Sequence, residues 1–569
     1  MKSKLPFAFA MRSARTPLLR SLQKAFKLAL LSNSSIPLPV NEISHMLEDK
    51  SQYSRRYFLR ALGQAGFIAG AGSILVACQK ENVKPVIPTQ IDSRARKAGG
   101  PSIAIIGGGI AGLNCAYQLK KAGLFSTIYE ASTRIGGRIY TANNIMGDGY
   151  TTELGGEFID SGHKDMLNLA KEFGLTLLDM FAPSEQSLIK DDYFFDGQHY
   201  TVKQVIEAFA PFVSKIKEDI NSLPSVITYN NPGKAIFYDQ MSIEGYFNYR
   251  GIHGWIRKLL EVAYLTEYGL EVHEQSCINF LWLFSPDTSK GSFDIFGDSD
   301  ERYKIKGGNA QLTDALYKQV QNQVIADSKL MAINHQGKSY KLSFEKSNGT
   351  TSDVVTDMVV LTLPFTLLRQ VKMNVPLPSW KLNAIANLGY GTNAKLMLGF
   401  QTKIWRAKGY TGYLFTDNGV QTGWDNTQLQ QGNGGGYTVY LGGKAGVDVG
   451  QGTPSAQAVT YLPQLNKIWP GMNTSFKPSV VARMHWPSQP FTQASYACYK
   501  VGQYTSIAGA ERKSVNGLFF AGEHCSINYQ GYMNGAAETG KKAAEEIIAM
   551  VAGKKLITQT TGAVTAQVA

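Results

Sequence analysis

The chain has 569 residues, more than one hydrophobic core usually supports, so two or more domains are expected. Hydrophobic residues at 44% and charged residues at 18% exclude wholesale disorder and a polytopic membrane protein. The net charge of +13 is concentrated in residues 1–77, which carry +8, and the +5 spread over the other 492 residues excludes a nucleic-acid-binding surface.

The first readable element is Ser54-Arg55-Arg56-Tyr57-Phe58-Leu59-Arg60, followed by the uncharged stretch 61–77 and Cys78. This pattern reads as a twin-arginine export signal. Its uncharged part holds 17 residues, five of them Gly or Ser, which is short and weakly apolar for a spanning helix of roughly 20 residues. Leu75-Val76-Ala77-Cys78 resembles a bacterial lipobox, which implies a lipid anchor on Cys78 and a periplasmic or membrane-anchored protein. Residues 1–45 are long for a region ahead of such a signal, and Met46 is a more typical start. Residues 78–100 read as a tether. Cys115, Cys277, Cys498 and Cys525 fit no metal-ligand spacing, so no metal is expected; they read as buried small hydrophobes.

The folded body opens with a β-α-β pattern: a strand at Ser102–Ile106, a helix from Ile110 to Ala122 stopped by Gly123, and a strand at Ser126–Tyr129. Helical periodicity recurs at Lys164–Phe173, Val202–Ile220 and Trp255–Tyr264. Strand patterns lie at Lys341–Phe344, Met358–Leu363, Lys395–Phe400 and Tyr437–Leu441. A helix at Met533–Val551 precedes a tail, 556–569, that reads as disordered.

Between the first strand and helix lies Gly107-x-Gly109-x-x-Gly112, with Glu130 closing the next strand. Gly107 suits the tight turn, Gly109 a close approach of backbone to a pyrophosphate, and Gly112 tight helix–strand packing. The helix start at Ile110 and Ala111 supplies backbone donors to phosphate, and Glu130 suits ribose hydroxyls. The continuation Glu130-Ala131-Ser132-Thr133-Arg134-Ile135-Gly136-Gly137-Arg138 resembles the second cofactor motif of the flavin-containing amine oxidases. That resemblance implies FAD, with Arg138 on its diphosphate, a role its planar fork suits. Further motifs follow in order. Glu153-Leu154-Gly155-Gly156 is similar to the loop along the flavin ring, and Gly307-Gly308 resembles a second close approach. Phe519-Phe520-Ala521-Gly522-Glu523 with Gly531-Tyr532-Met533-Asn534-Gly535-Ala536 resembles the family's C-terminal FAD motif. There the resemblance implies that Glu523 contacts the ribityl or diphosphate and that the helix start near Met533 faces the flavin, its dipole favouring negative charge on the reduced ring.

The resemblance also implies three catalytic residues. Lys395 matches the family lysine that holds a water beside the flavin, and burial there would disfavour its charge. Tyr496 and Tyr532 match the paired aromatic residues that funnel an amine toward the cofactor. Ser495 stands where animal monoamine oxidases carry a flavin-linked cysteine, which implies non-covalent FAD. No arginine occurs between Arg138 and Arg250 to hold a substrate carboxylate, as L-amino-acid oxidases do. The implied reaction is hydride transfer from the α-carbon of a small-molecule amine, with hydrolysis of the imine to an aldehyde and reduction of O2 to H2O2. Alternatives are an L-amino-acid oxidase, a desaturase of the same fold, or a non-catalytic flavin-binding surface lipoprotein.

The expected fold class is α/β. A Rossmann-type FAD-binding domain (101–160, 300–375 and 505–555) would be combined with a discontinuous α+β substrate-binding domain (161–299 and 376–504). Oligomeric state is not legible.

Overall fold

A computed structural model describes residues 100–283 and 300–553. The twin-arginine run, Met46, Cys78, the tether up to residue 99 and the 556–569 tail lie outside the described residues.

Ile103–Ile106 is a strand with all four residues buried, which suits a parallel sheet covered on both faces. It is the central strand of a five-stranded parallel sheet. In spatial order the strands are Leu518–Phe520, Met358–Leu361, Ile103–Ile106, Thr127–Tyr129 and Val324–Ile325. Side chains alternate across this sheet with period two. Ile103 and Ile105 join the cluster that includes the helices Ile110–Lys121, Ala310–Val320 and Met533–Val551. Ala104 and Ile106 point to the other cluster, where Tyr129 stacks on Phe344 at 4.4 Å. Phe344 belongs to a four-stranded sheet, Thr351–Thr356, Ser339–Glu345, Lys329–Gln336 and Lys372–Asn374. The helices Ile110–Lys121 and Met533–Val551 meet closely: a Cβ on Gly540 would lie 2.1 Å from the Ala111 carbonyl oxygen, and Asn114 donates to Ala537 O at 2.8 Å. Cys115, Cys277, Cys498 and Cys525 are buried.

The second unit is a seven-stranded sheet. Its order is Phe476–His485, Ala394–Phe400, Gly435–Leu441, Gln421–Asp425, Tyr410–Thr416, Ile189–Phe195 and Gln198–Tyr200. All seven residues of Ala394–Phe400 are buried, and its antiparallel pairing sets Lys395 opposite Tyr440 on one side and Met484 on the other. A helical layer includes Val202–Ser222, Ile243–Arg250 and Trp255–Tyr268. The last of these runs four residues beyond the expected end, because its stop signal is Gly269 at φ 73° rather than a change in polarity.

The boundary expected at residue 160 is corrected. The helix Lys164–Glu172 buries Met166, Leu169 and Ala170 in the cofactor-domain core, and Met166 N donates to Asn534 Oδ1 at 3.0 Å. Leu177–Asp179 then pairs with Tyr303–Ile305, so the first crossing to the second unit follows residue 179. Helical periodicity was the right local reading, but periodicity does not say which core the apolar face meets.

Candidate active site

A cavity of about 830 Å³ opens along the C-terminal ends of the parallel strands and continues to the seven-stranded sheet. Its size lies in the upper part of the range for small-molecule and cofactor sites. The cofactor end is built from Gly107, Gly109, Ile110, Ala111, Glu130, Arg138, Gly155, Gly156, Glu523 and Met533, all of which line it. Gly107 takes φ 110°, a conformation that favours glycine. Gly109 has only Gly137 Cα within 4 Å of the place a Cβ would occupy, so its surface is bare toward the cavity. Gly112 does not line the cavity. A Cβ there would fall 2.0 Å from Gly107 O, so this glycine serves packing, as the motif reading expects.

Glu130 accepts from Gly108 N at 2.6 Å through one oxygen and from Ser132 N and Oγ at 2.8 Å through the other, which fixes both oxygens. Arg138 and Glu523 are joined at 2.9 Å, and Arg138 also donates to Ser495 O at 2.6 Å. Glu523 accepts from Gly531 N at 2.8 Å. This clamp unites the N-terminal and C-terminal motifs. Gly307 and Gly308 are corrected: neither lines the cavity, and a Cβ on Gly308 would meet Thr141 at 2.2 Å, so the close approach there is to a threonine.

Lys395, Tyr496 and Tyr532 line the same cavity, with Phe158, Trp424 and Tyr440. Lys395 is buried. Its ammonium donates to Glu153 O at 3.0 Å, Gly155 O at 2.9 Å and Glu157 Oε2 at 2.7 Å, which uses all three of its donors. Glu157 thus supplies a buried counter-charge, and a water on Lys395 would have to displace one of these acceptors. Burial alone would raise the carboxyl of Glu157, but the Lys304 and Lys395 ammoniums outweigh it and hold that group below its usual value. Burial pushes Glu153 up to about 7.

Tyr496 donates to Glu267 O at 2.9 Å, a carbonyl in the last turn of Trp255–Tyr268. A carbonyl only accepts, so in the 2.9 Å contact between the Tyr440 and Tyr496 hydroxyls Tyr440 is the donor. Tyr532 caps the helix Met533–Val551 and packs edge-on to His163 at 4.8 Å. Burial holds His163 down at about 3, so this neighbour is neutral at physiological pH.

Sequence reading missed Glu157, Lys304, Trp424 and Tyr440. For Glu157 there was a signal, an acid directly after Gly155-Gly156. Tyr440 and Trp424 reach the site through strand register, which leaves no local mark in the sequence.

The cradle fits FAD. It combines glycine backbone at Gly109 and Gly137, a helix start, a carboxylate held by three hydrogen bonds, and an arginine held in place by Glu523. A family model for flavin-containing amine oxidoreductases matches residues 110–548. The chain is 24% identical to a flavin-containing amine oxidase of Oncorhynchus mykiss, over 78% of this chain and 85% of that protein. It is 23% identical to the human flavin-containing amine oxidase B, over 78% and 86%. Among solved structures, cyclohexylamine oxidase from Brevibacterium oxydans superposes with a TM-score of 0.69 at 20% identity, covering 79% of this chain and 99% of that one. Putrescine oxidase bound to putrescine gives 0.67 at 19% identity, with the same coverage. The model match spans most of the sequence and its motifs meet in one cavity, so the chain belongs to the flavin-containing amine oxidoreductase family and is an FAD-dependent amine oxidase.

Proposed function

We propose that this enzyme oxidises an amine bearing no α-carboxylate, with O2 as the terminal acceptor. The observation that carries the reading is that Lys395, Tyr496 and Tyr532, with Phe158, Trp424 and Tyr440, line the same cavity as the cofactor motifs. Bound FAD supplies the two-electron acceptor for the hydride leaving the α-carbon. The faces of Tyr496 and Tyr532 hold and orient the amine, since electron-rich rings attract a nitrogen carrying positive charge. The carbonyls of Thr266 and Glu267, at the negative end of their helix, fix the Tyr496 hydroxyl and favour a cation nearby. Apolar side chains exclude water from the reacting carbon until the imine leaves and is hydrolysed to an aldehyde and ammonia or a shorter amine.

An amino-acid substrate is disfavoured by charge. Arg134, Arg138, Lys329 and Lys395 are the cations lining the cavity among the described residues. Arg134 is bound to Ile135 O and Gly137 O, Arg138 to Glu523, and Lys395 to Glu157, so three of the four are already engaged by protein groups. Non-covalent FAD is supported by Ser495, which lines the cavity, whereas the Cys498 thiol lies 3.7 Å from Asn279 Nδ2 and outside that lining.

Anaerobic mixing with alkyl amines, arylalkyl amines, diamines, L-amino acids and polyenes tests the proposal. Amines should bleach the flavin and, on admitting air, yield peroxide. Bleaching by amino acids or polyenes alone, or by none of them, refutes it. Export by the twin-arginine route with a lipid on Cys78 is a further proposal, resting on the Arg55-Arg56 run and the lipobox-like Leu75–Cys78. Mass spectrometry of the mature N-terminus tests it, and an unmodified chain retaining Arg55 would refute it.

A further inference from the structure

Immediately after the two glycines of the flavin-side loop, Glu157 stands between two lysines. Its Oε1 is 2.5 Å from Lys304 Nζ and its Oε2 is 2.7 Å from Lys395 Nζ. All three side chains are shut away from solvent, at 3% exposure for Glu157, 5% for Lys395 and 9% for Lys304. Phe158 lies under Lys304 at 4.7 Å and Trp424 faces Lys395 at 5.4 Å. Two cations thus share one anion in an apolar shell. Among the described residues Glu153 also faces them, its carboxylate taking Asn309 N at 2.7 Å and the Thr141 hydroxyl at 2.9 Å and its main-chain carbonyl meeting Lys395, and Tyr440 stands opposite Lys395 in the strand register.

A buried ammonium needs a partner, and without one it sheds its proton. Here one carboxylate serves two ammoniums, so two formal cations face one anion. We propose that Glu157 is a positioning residue that, shared with Lys304, holds Lys395 as a fixed cation so that reduced flavin is reoxidised beside a positive charge. This rests on the reading of the enzyme as an oxidase. In that half-reaction O2 takes two electrons and two protons and leaves as H2O2, while the flavin returns to its oxidised state. Negative charge develops on oxygen as the electrons arrive, and a preorganised cation stabilises it at no cost of reorganisation. Lys304 keeps Glu157 from cancelling that cation.

The test uses the FAD-loaded enzyme and the variants Glu157→Gln and Lys304→Met. The absorbance of bound flavin is titrated from pH 6 to 10 without turnover, and flavin reduction by an amine and reoxidation by O2 are timed separately. The wild-type spectrum should show no step beyond that of Glu153. Glu157→Gln should add a second, higher step as one lysine loses its proton. Its reoxidation should fall about tenfold across that step, several times more than any loss in reduction. Lys304→Met, which leaves Glu157 to neutralise Lys395, should slow reoxidation about threefold at every pH and add no step. The proposal is overturned if Glu157→Gln adds no step, or if reduction slows as much as reoxidation, the mark of a merely structural role. If Glu157→Gln does not retain flavin, Lys304→Met decides, and unchanged reoxidation overturns the idea. Failure of the amine-oxidation reading would show in the wild type, as flavin that no amine reduces, while the spectral titration would still report on Glu157.

Discussion

Gly109 and Gly112 sit three residues apart, yet alanine should act oppositely at the two positions. At Gly112 an added Cβ falls 2.0 Å from Gly107 O and 3.2 Å from Ile105 Cγ2. An ordinary carbon–oxygen contact is about 3.3 Å, so strand turn and helix would have to part by about 1.3 Å. The neighbour is backbone, and the helix is held from its far side by the Gly540 crossing, so little can yield. Gly112→Ala should therefore cost about 3 kcal/mol, the upper end of ordinary overpacking. At Gly109 the backbone is extended, φ −74° and ψ 177°, and the nearest atom to a new Cβ is 3.9 Å away. Gly109→Ala should fold with stability within about 1 kcal/mol of wild type. It fills the bare surface offered to the cofactor, however, and should weaken FAD binding at least tenfold, or about 1.4 kcal/mol. Urea unfolding of flavin-stripped protein and titration of FAD by fluorescence quenching separate the two quantities. If Gly109→Ala binds FAD like wild type, or Gly112→Ala unfolds at the wild-type midpoint, the division of labour between these glycines is wrong.

Lys395→Met removes one counter-ion of Glu157 and the donor to Glu153 O and Gly155 O, so it should cost about 3 kcal/mol in urea unfolding; an unchanged midpoint would show that the buried pair adds no stability. Burial lowers His524 from 6.5 to about 4, so its contribution is present above pH 6.5 and lost as pH falls; at pH 5 the loss is about 2 kcal/mol, and His524→Phe should shrink the stability difference between pH 7.5 and 5 by that amount. Glu153 has the reverse sign. Burial raises it from 4.5 to about 7, stability is lost as pH rises through that window, and Glu153→Gln should recover about 2.5 kcal/mol at pH 8 relative to pH 5. Tyr440→Phe deletes the donor to the Tyr496 hydroxyl and should raise KM for the amine severalfold with little change in kcat, consistent with a hydrogen bond of about 1 kcal/mol; equal loss in both constants would refute a purely orienting role.

Features governed by local chemistry were the legible ones. The strand–turn–helix at Ile103–Lys121 and the helix Met533–Val551 follow from apolar periodicity and glycine placement, and both match the structure to within a residue or two. The cofactor-end residues share one cavity because the parallel sheet brings its carboxyl ends together, a rule that sequence order alone can invoke. What could not be read depends on pairing across long separations. Whether Lys395 lies in solvent or in an ion pair is decided by Glu157 and Lys304, 238 and 91 positions away in the chain. The substrate-side aromatic residues come from strands whose register no local pattern encodes. The helix Lys164–Glu172 was assigned to the wrong unit for the same reason.

The clamp of Arg138 on Glu523 has a consequence for biosynthesis. One jaw is made early in translation and the other more than 380 residues later. The central sheet also waits for its edge strand Leu518–Phe520. A ribosome-bound chain lacking its last segment therefore has an open groove where the finished enzyme has a pocket. Flavin capture should therefore come late, and a prematurely terminated product should emerge colourless.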